Sequence, residues 1–443
     1  MRRPRLTRRA PTARVRWQEC ASCGVRQDEL AAAASCPACG GLLDVKFHLP
    51  REEGVKLRRR FDARVRAAGP AREISGVWRF RELVLEPDPA PVVSFPEGNT
   101  PLITSPPVAA WTGCEGLCVK HEGMNPTGSF KDRGMTVGLT QALRVGARAV
   151  ACASTGNTSA SLAAYAALAG VPALVLVPSG NVALGKLTQT LAYGARTLVV
   201  RGDFDACLTL AREAAAHLGV YLLNSVNPFR VEGQKTIVLE MLQQLEWNPP
   251  DWIALPAGNL GNAAAFGKAL REAVATGLIT QMPRLLAVQA AGAAPFYRSF
   301  EEGFAERYRV SAETIATAIR IGDPASFDRA VAAIRGTEGR VLAVSDEDIL
   351  EAKAVVDAAG IGCEPASAAS VAGVRQARQR GLIPRDARVV AVLTGHVLKD
   401  PGVLVRYHQE ADPPPPRRNA PVEIDARIED VERELYRAIP YEP

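Results

Sequence analysis

The 443-residue chain contains no run of eighteen or more apolar residues, and nothing near its start has the apolar core of a secretory signal. A helix that crosses a bilayer needs roughly 20 such residues, and a signal peptide needs that core. The sequence therefore argues against membrane insertion and secretion and points to a soluble, cytoplasmic protein. Charge of one sign is also scarce outside one short stretch. The formal net charge is +6, yet the opening MRRPRLTRRAPTARVRW carries seven arginines and no acid. Without that stretch the body is close to neutral, and it lacks the electrostatic footprint that binding to a phosphate backbone requires; no nucleic-acid partner is expected. Residues 1–17 are read as a disordered basic arm, the alternatives being a tether to nucleic acid or an acidic surface, or a short targeting segment. The arm has no serine, which a transit peptide would favour. No internal repeat occurs. Five of the nine cysteines are scattered (Cys114, Cys118, Cys152, Cys207, Cys363), a usage that suits a reducing compartment and not a disulfide scaffold.

With 47% apolar residues the chain has ample material for filled cores. From about residue 146, short apolar runs alternate with alanine-rich helical patterns. Strands are expected at 148–153, 172–177, 196–200, 220–223, 252–255, 285–289 and 389–393, and helices at 135–144, 159–169, 206–218, 233–245, 346–359 and 366–379. Such alternation predicts parallel sheets covered by helices, a doubly wound α/β architecture that binds ligands at the carboxyl ends of its strands. The pattern stops after Pro401. Asp412 to Pro416 (DPPPP) reads as a stiff linker before a charged helical segment at about 422–437.

Near the start, Cys20-Ala-Ser-Cys23-Gly and Cys36-Pro-Ala-Cys39-Gly form two CxxC knuckles separated by twelve residues. Four thiolates at this spacing can close a tetrahedron around zinc, and a closed site has a structural role. Two disulfides, a redox CxxC or iron are the alternatives.

The stretch Asn125-Pro-Thr-Gly-Ser-Phe-Lys131-Asp-Arg-Gly134 sets a lysine on a glycine-framed turn at a helix start. A buried lysine loses its proton readily, and the neutral amine attacks an aldehyde to form a Schiff base. From that segment alone, a surface lysine paired with Asp132 is an open alternative. Three more segments break the tie. Ala153-Ser-Thr155-Gly-Asn157-Thr158-Ser159 follows a strand and opens a helix, so it presents hydroxyls, an amide and backbone N–H groups at a positive dipole end. Gly258-Asn259-Leu260-Gly261-Asn262 does the same and can cradle a phosphate without a basic side chain. Thr394, in Leu-Thr-Gly-His, ends a late strand and puts a hydroxyl at the sheet's carboxyl edge.

Together with EGNTPL, RVEGQKT, QAAGAAP, ATAIRIGDPAS, CEPASAAS and TGHVLKDP, these motifs run in order from Gly98 to Pro401. The ordered set resembles the threonine synthase family, within the fold-type II pyridoxal-phosphate enzymes that include serine and threonine dehydratases and tryptophan synthase β. The resemblance implies a tryptophan synthase β-like fold: two doubly wound parallel-sheet domains with the cofactor between them, preceded by a small zinc ribbon. Residues 18–45 would be the ribbon, 46–124 the first part of the large domain, 125–225 the small domain, 226–405 the rest of the large domain, and 406–443 the linker and tail.

The resemblance further implies that Lys131 is the Schiff-base lysine and moves protons, and that Asn157 bonds the phenolic oxygen of pyridoxal 5'-phosphate. Residues 258–262 would hold the cofactor's phosphate, and Thr394 would face its pyridine nitrogen. A second anion site for the substrate's phosphate would comprise Thr155, Thr158, Asn224, Ser225, Arg230 and Asn259. Arg230 can bind a phosphate through two N–H groups, which no dehydratase substrate would need. The implied activity converts O-phospho-L-homoserine and water to L-threonine and phosphate, by a homodimer. Leu260 stands where the family more often has alanine and Val397 where glycine is frequent, departures that bear on fine specificity. A sister activity, such as cysteate synthesis from O-phosphoserine or threonine dehydration, is the alternative enzyme. A degenerate homologue acting as a binding module is the alternative outside enzymes, and the presence of Lys131, Asn157 and Thr394 argues against it.

Overall fold

The computed structural model describes residues 16–65, 69, 74–86, 92–180 and 184–438, so most of the expected basic arm lies outside the described residues. The chain divides into two units, Met1–Lys399 and Asp400–Pro443.

Thirteen strands are described in the first unit, in three sheets. In chain order, β1 (Arg16–Cys20), β2 (Arg26–Asp28) and β3 (Leu43–Phe47) are followed by β4 (Leu102–Thr104), β5 (Gly116–His121), β6 (Ala149–Ala153), β7 (Ala173–Pro178) and β8 (Arg196–Val200). Then come β9 (Val220–Leu222), β10 (Trp252–Pro256), β11 (Arg284–Ala290), β12 (Arg340–Val344) and β13 (Arg388–Leu393). The first three form a small antiparallel sheet with β1 in the centre. It starts earlier than the sequence suggests: Arg16 and Trp17 belong to β1, and Arg16 is buried, so the arm ends before them.

Four parallel strands in the order β8-β7-β6-β9 make one α/β sheet. Six in the order β12-β11-β10-β13-β5-β4 make the other, parallel except for the edge strand β4. The central strand β10 is buried along its whole length, as a parallel strand covered on both faces must be, and so reads as a continuous apolar run. The edge strand β8 alternates irregularly and keeps Val199 exposed. The helix expected at 233–245 is two helices, Pro228–Gln234 and Thr236–Gln244, joined at Lys235.

Helix Lys131–Arg144 begins at the lysine itself, four residues earlier than its periodicity predicts. Two glycines explain its packing against helix Pro228–Gln234. A Cβ on Gly233 would lie 1.8 Å from the carbonyl of Arg133, and one on Gly134 would lie 3.0 Å from that of Arg230, so the two backbones approach closely only without side chains. A buried ion cluster pins the helix's first turn. Arg133 donates to Glu122 through Nε (2.7 Å) and Nη2 (2.8 Å) and to Glu240 through Nη2 (2.8 Å), while Lys120 and Arg79 each donate to Glu240 at 2.7 Å. Burial opposes ionisation of Glu240, but the charges of Arg133, Lys120 and Arg79 hold it well below the usual carboxylate range.

The second unit, described by itself, holds helices Pro401–Val405 and Ile428–Ala438; the latter starts later than the sequence pattern suggests and leaves Ile428, Val431 and Leu435 exposed. Among the described residues, no helix is long and apolar enough to cross a membrane.

Removing one member of a buried ion cluster strands its partners. Arg133→Met should therefore lower the free energy of unfolding by about 3–5 kcal/mol in urea titration. Arg284→Met, which breaks a pair with Glu338 whose partners are both exposed, should barely move the midpoint.

Candidate active site

Lys131 owes its position to the end of β13. The turn before it pairs with the residues after that strand: the Phe130 N–H donates to the Thr394 carbonyl (3.0 Å), and the His396 N–H donates to the Gly128 carbonyl (2.9 Å). Gly128 makes the turn at φ +81°, a conformation that side chains disfavour. The half-buried amine sits 4.1 Å from the centroid of the Phe130 ring and makes no ion pair among the described residues. Asp132 is not its partner. Its carboxylate accepts from the N–H (2.7 Å) and hydroxyl (2.6 Å) of Thr127 and the hydroxyl of Ser161 (2.5 Å). Burial above all, and then the Arg230 guanidinium, lower the Lys131 pKa to about 7, with Glu364 partly opposing them. A lysine in that state has a large neutral fraction at neutral pH.

Arg230 is fully buried at the carboxyl end of the four-stranded sheet. One nitrogen, Nη1, donates to the Leu223 carbonyl at 3.0 Å, while Nε and Nη2 have no partner. Loss of hydration pulls its pKa down to about 10, against a weak opposing effect of Cys152. A guanidinium stripped of water and left without a carboxylate is a site prepared for an anion.

The segment 258–262 follows β10 and opens helix Gly261–Ala275. The N–H groups of Gly258, Asn259 and Leu260 find no backbone acceptor among the described residues, and those of the helix's first turn have none by construction. Leu260 adopts φ 61°, ψ 8°, which turns successive N–H groups to one side as an anion-binding nest does. Gly258 cannot carry a side chain, because its Cβ would lie 2.8 Å from the Cα of Ile319. The buried Asn262 Oδ1 also lacks a partner.

Asn157, Glu364 and Thr394 are linked. Asn157 Nδ2 donates to Glu364 Oε2 (2.9 Å), Thr394 Oγ1 donates to Glu364 Oε1 (3.2 Å), and Ser367 Oγ lies 3.0 Å from Thr394 Oγ1. Burial raises the Glu364 pKa, with Asn157, Lys399, Thr394 and Lys131 opposing. No role is assigned to Glu364 or Ser367 from sequence. Glu364 lies in CEPASAAS, and the one hint was an acid just before a helix-starting proline.

Thr155 and Thr158 lie half-buried beside Asn157 on the turn after β6. The residues after β9 behave differently from one another. Asn224 spends one donor and one acceptor of its amide on the backbone of Ala153, donating to its carbonyl (3.0 Å) and accepting from its N–H (3.0 Å), so it splices β6 to β9. Ser225 Oγ accepts from Asn259 Nδ2 at 2.6 Å, which ties the turn before Arg230 to the 258–262 segment. The residues singled out for cofactor and substrate thus gather where the carboxyl ends of β6, β9, β10 and β13 face one another, as the strand-end rule requires, while the four cysteines form a separate group.

A family profile described as "Pyridoxal-phosphate dependent enzyme" matches residues 93–395. Threonine synthase from Methanosarcina acetivorans is 43% identical over 423 residues, which cover 94% of this chain and 98% of that protein. Threonine synthase from Mycobacterium leprae is 50% identical over 325 residues, covering 73% and 88%. This chain belongs to the threonine synthase family of pyridoxal-phosphate-dependent enzymes. Among solved structures, threonine synthase from Escherichia coli is similar with a TM-score of 0.69 at 19% identity, covering 94% of each chain. Maize serine racemase is similar with a TM-score of 0.59 at 22% identity, covering 70% of this chain and 91% of its own. At those identities the likeness is one of fold.

The family's cofactor fits the groups present. Lys131 offers an amine that is neutral in large part, the unpartnered N–H groups from Gly258 onward offer a phosphate cradle, and Thr394 with Asn157 offers a hydroxyl and an amide between the two. In cofactor-free protein, labelling of Lys131 by an aldehyde and borohydride should rise with pH through a midpoint near 7, where an ordinary lysine would show about 10.5. Arg230→Ala removes a neighbouring positive charge, which makes the ammonium form less costly, so the midpoint should move upward. Peptide mass analysis across a pH series reads both, and a midpoint unmoved by the substitution would contradict the electrostatic coupling.

Proposed function

We propose that the chain converts O-phospho-L-homoserine and water to L-threonine and inorganic phosphate, a β,γ-elimination followed by replacement. The observation that carries this reading is the buried Arg230, whose Nε and Nη2 have no partner although the residue is stripped of water. A substrate with a phosphate on its side chain supplies the missing charge, whereas a dehydratase substrate would leave the guanidinium uncompensated.

Pyridoxal phosphate, when bound, supplies the electron-accepting ring that allows a substrate amino acid to lose its Cα proton. The chain's own groups do the rest. The amine of Lys131, held near neutrality by burial, takes the Cα proton and later returns a proton to the product. Gly258 to Asn262 would hold the cofactor's phosphate, and Asn157 and Thr394 would offer an amide to its phenolic oxygen and a hydroxyl to its pyridine nitrogen. A threonine hydroxyl is neutral and does not drive that nitrogen to protonate, so control of the reaction passes to protein groups around the substrate. Arg230, with Thr155, Thr158, Ser225 and Asn259, holds the substrate's phosphate as it leaves and keeps the water that adds at Cβ in a confined space.

Cys20, Cys23, Cys36 and Cys39 hold a structural zinc ion in this reading. Their sulfurs all lie within 4.8 Å of one another, close to the separation of about 3.8 Å that tetrahedral zinc thiolate bonds impose. All four are free thiols.

Purified protein should release phosphate and form threonine from O-phospho-L-homoserine, and should leave O-phosphoserine, one carbon shorter, essentially unused. Arg230→Ala should raise KM for the phosphorylated substrate roughly 10- to 100-fold, the worth of a charge-assisted hydrogen-bond pair. Unchanged kinetics in that variant would remove the substrate assignment. Metal analysis should find about one zinc per chain, and its complete absence together with that of iron would remove the ribbon's metal.

A further inference from the structure

The small antiparallel sheet is not an appendage. Two carbonyls of β3 act as acceptors for the large-sheet side: that of Leu43 accepts from Arg329 Nη2 (2.6 Å) and that of Val45 from Lys268 Nζ (2.6 Å), and Asp44 pairs with Arg329 at 2.9 Å. Lys268 lies two turns along the helix that Gly261 begins. The same ammonium donates to Glu232, a fully buried carboxylate two residues after Arg230 on the neighbouring helix. Lys235 closes the cluster, donating to Glu232 (2.5 Å) and Glu272 (2.7 Å), and its Nζ lies 4.9 Å from the centroid of Phe47, the last residue of β3. Glu232 thus couples the helix of the expected cofactor-phosphate loop to the helix of Arg230, and β3 caps that coupling.

The other side of the module reaches the four-stranded sheet. The Glu29 carbonyl accepts from Gln141 Nε2 (2.8 Å), and its carboxylate pairs with Arg144 (2.8 Å), both at the end of the Lys131 helix. Ala34 and Leu42 pack against the apolar cluster that includes Leu222, Cys207 and Val226. One module of three short strands therefore holds three helices: those that begin at Lys131 and Gly261, and the one that carries Arg230.

The module's strands are 5, 3 and 5 residues long, its own apolar cluster is Cys20, Cys36 and Leu43, and Val45 packs into the large core instead, so the module cannot hold its shape by its own burial alone. Cys20 pairs directly with Leu43 across β1 and β3, so whatever fixes the cysteines fixes the Leu43 and Val45 carbonyls. We infer that the four-cysteine module is a metal-dependent brace between the two α/β sheets, and that its metal load sets how tightly Arg230 holds a phosphate. The inference rests on the reading of Arg230 as a phosphate site. Lys268 and Glu232 are positioning residues within it, acting through the helices and touching no substrate.

The test uses the cofactor-loaded enzyme, in which the cofactor already fills its own phosphate site, and inorganic phosphate as the probe. Phosphate affinity is measured through cofactor fluorescence and through competitive inhibition. Four preparations are compared with the zinc-bound enzyme: enzyme stripped of metal by a chelator under reducing conditions, then Lys268→Met, Lys268→Arg and Arg230→Ala, each with zinc retained. Metal removal and Lys268→Met should each weaken phosphate binding and raise KM about fivefold or more, with little change in kcat. Readdition of zinc should restore the first preparation and not the second, and Lys268→Arg, which keeps a donor to Val45 and Glu232, should stay near the parent. If metal removal only lowers the melting temperature and leaves phosphate affinity unchanged, or if Lys268→Met binds phosphate normally, the brace is refuted. If Arg230→Ala also binds phosphate normally, the phosphate reading falls and the brace falls with it. Weakening in Arg230→Ala alone refutes the brace and leaves the reading intact.

Discussion

The buried Arg230 guanidinium lies close enough to the half-buried Lys131 amine to depress its ionisation, and neither cation has a carboxylate bonded to it. Other buried cations of this protein are paired: Arg133 lies between Glu122 and Glu240, and Lys235 and Lys268 share Glu232. The contrast shows that the bare pair is not a general laxity of the core. Removing a guanidinium from water without a partner costs several kcal/mol, and the fold sustains this because the surrounding ion clusters hold the helices in place. The two cations respond according to their chemistry. The amine can shed its proton and become a nucleophile, whereas the guanidinium cannot and keeps its charge for a ligand. One electrostatic conflict thus yields both a reactive amine and an anion receptor.

The parts of the fold with a strong local signal were legible. The strands β6 to β11 and β13 fall within a residue or two of the positions predicted from apolar runs bounded by turn residues. The runs that went unseen are those whose character depends on distant partners. β4 is three residues long and antiparallel at an edge, β5 carries the polar Lys120 and His121, and β12 lies between two helices with no glycine–proline punctuation after it. The break at Lys235 was hidden because the apolar period continues through it. The lysine at the break is the one that joins the buried ion cluster.

Within the site, legibility follows the same rule. Lys131 and the 258–262 segment announce themselves through turn chemistry that any reader can weigh. Glu364 does not, because its meaning comes from Asn157, 207 residues away in the chain, and Thr394, 30 residues away. Asn224 has a duty that its place in the sequence does not show. An amide at a strand's carboxyl end invites a ligand-binding role, and this one also spends one donor and one acceptor on Ala153. Sequence can show that a polar group stands near the site, but only the hydrogen-bond inventory shows whether it is still available.

Helix starts complete the electrostatics. Helices Lys131–Arg144, Asn157–Ala169, Gly261–Ala275 and Pro365–Gln379 all begin in the segments that meet here, linked through Phe130 to Thr394, Asn157 to Glu364, and Glu364 to Gly395. Each contributes a partial positive charge and unpaired N–H groups. Four such ends around a buried guanidinium make a region in which an ammonium is disfavoured and phosphates are welcome. Glu364 is the counterweight, and burial keeps it from being a full one, since its own pKa is raised. The balance left over at the buried guanidinium is positive. A zwitterionic amino acid alone does not neutralise it, whereas a phosphorylated substrate beside a phosphorylated cofactor does, so the charge of the protein itself argues for the chemistry of its ligands.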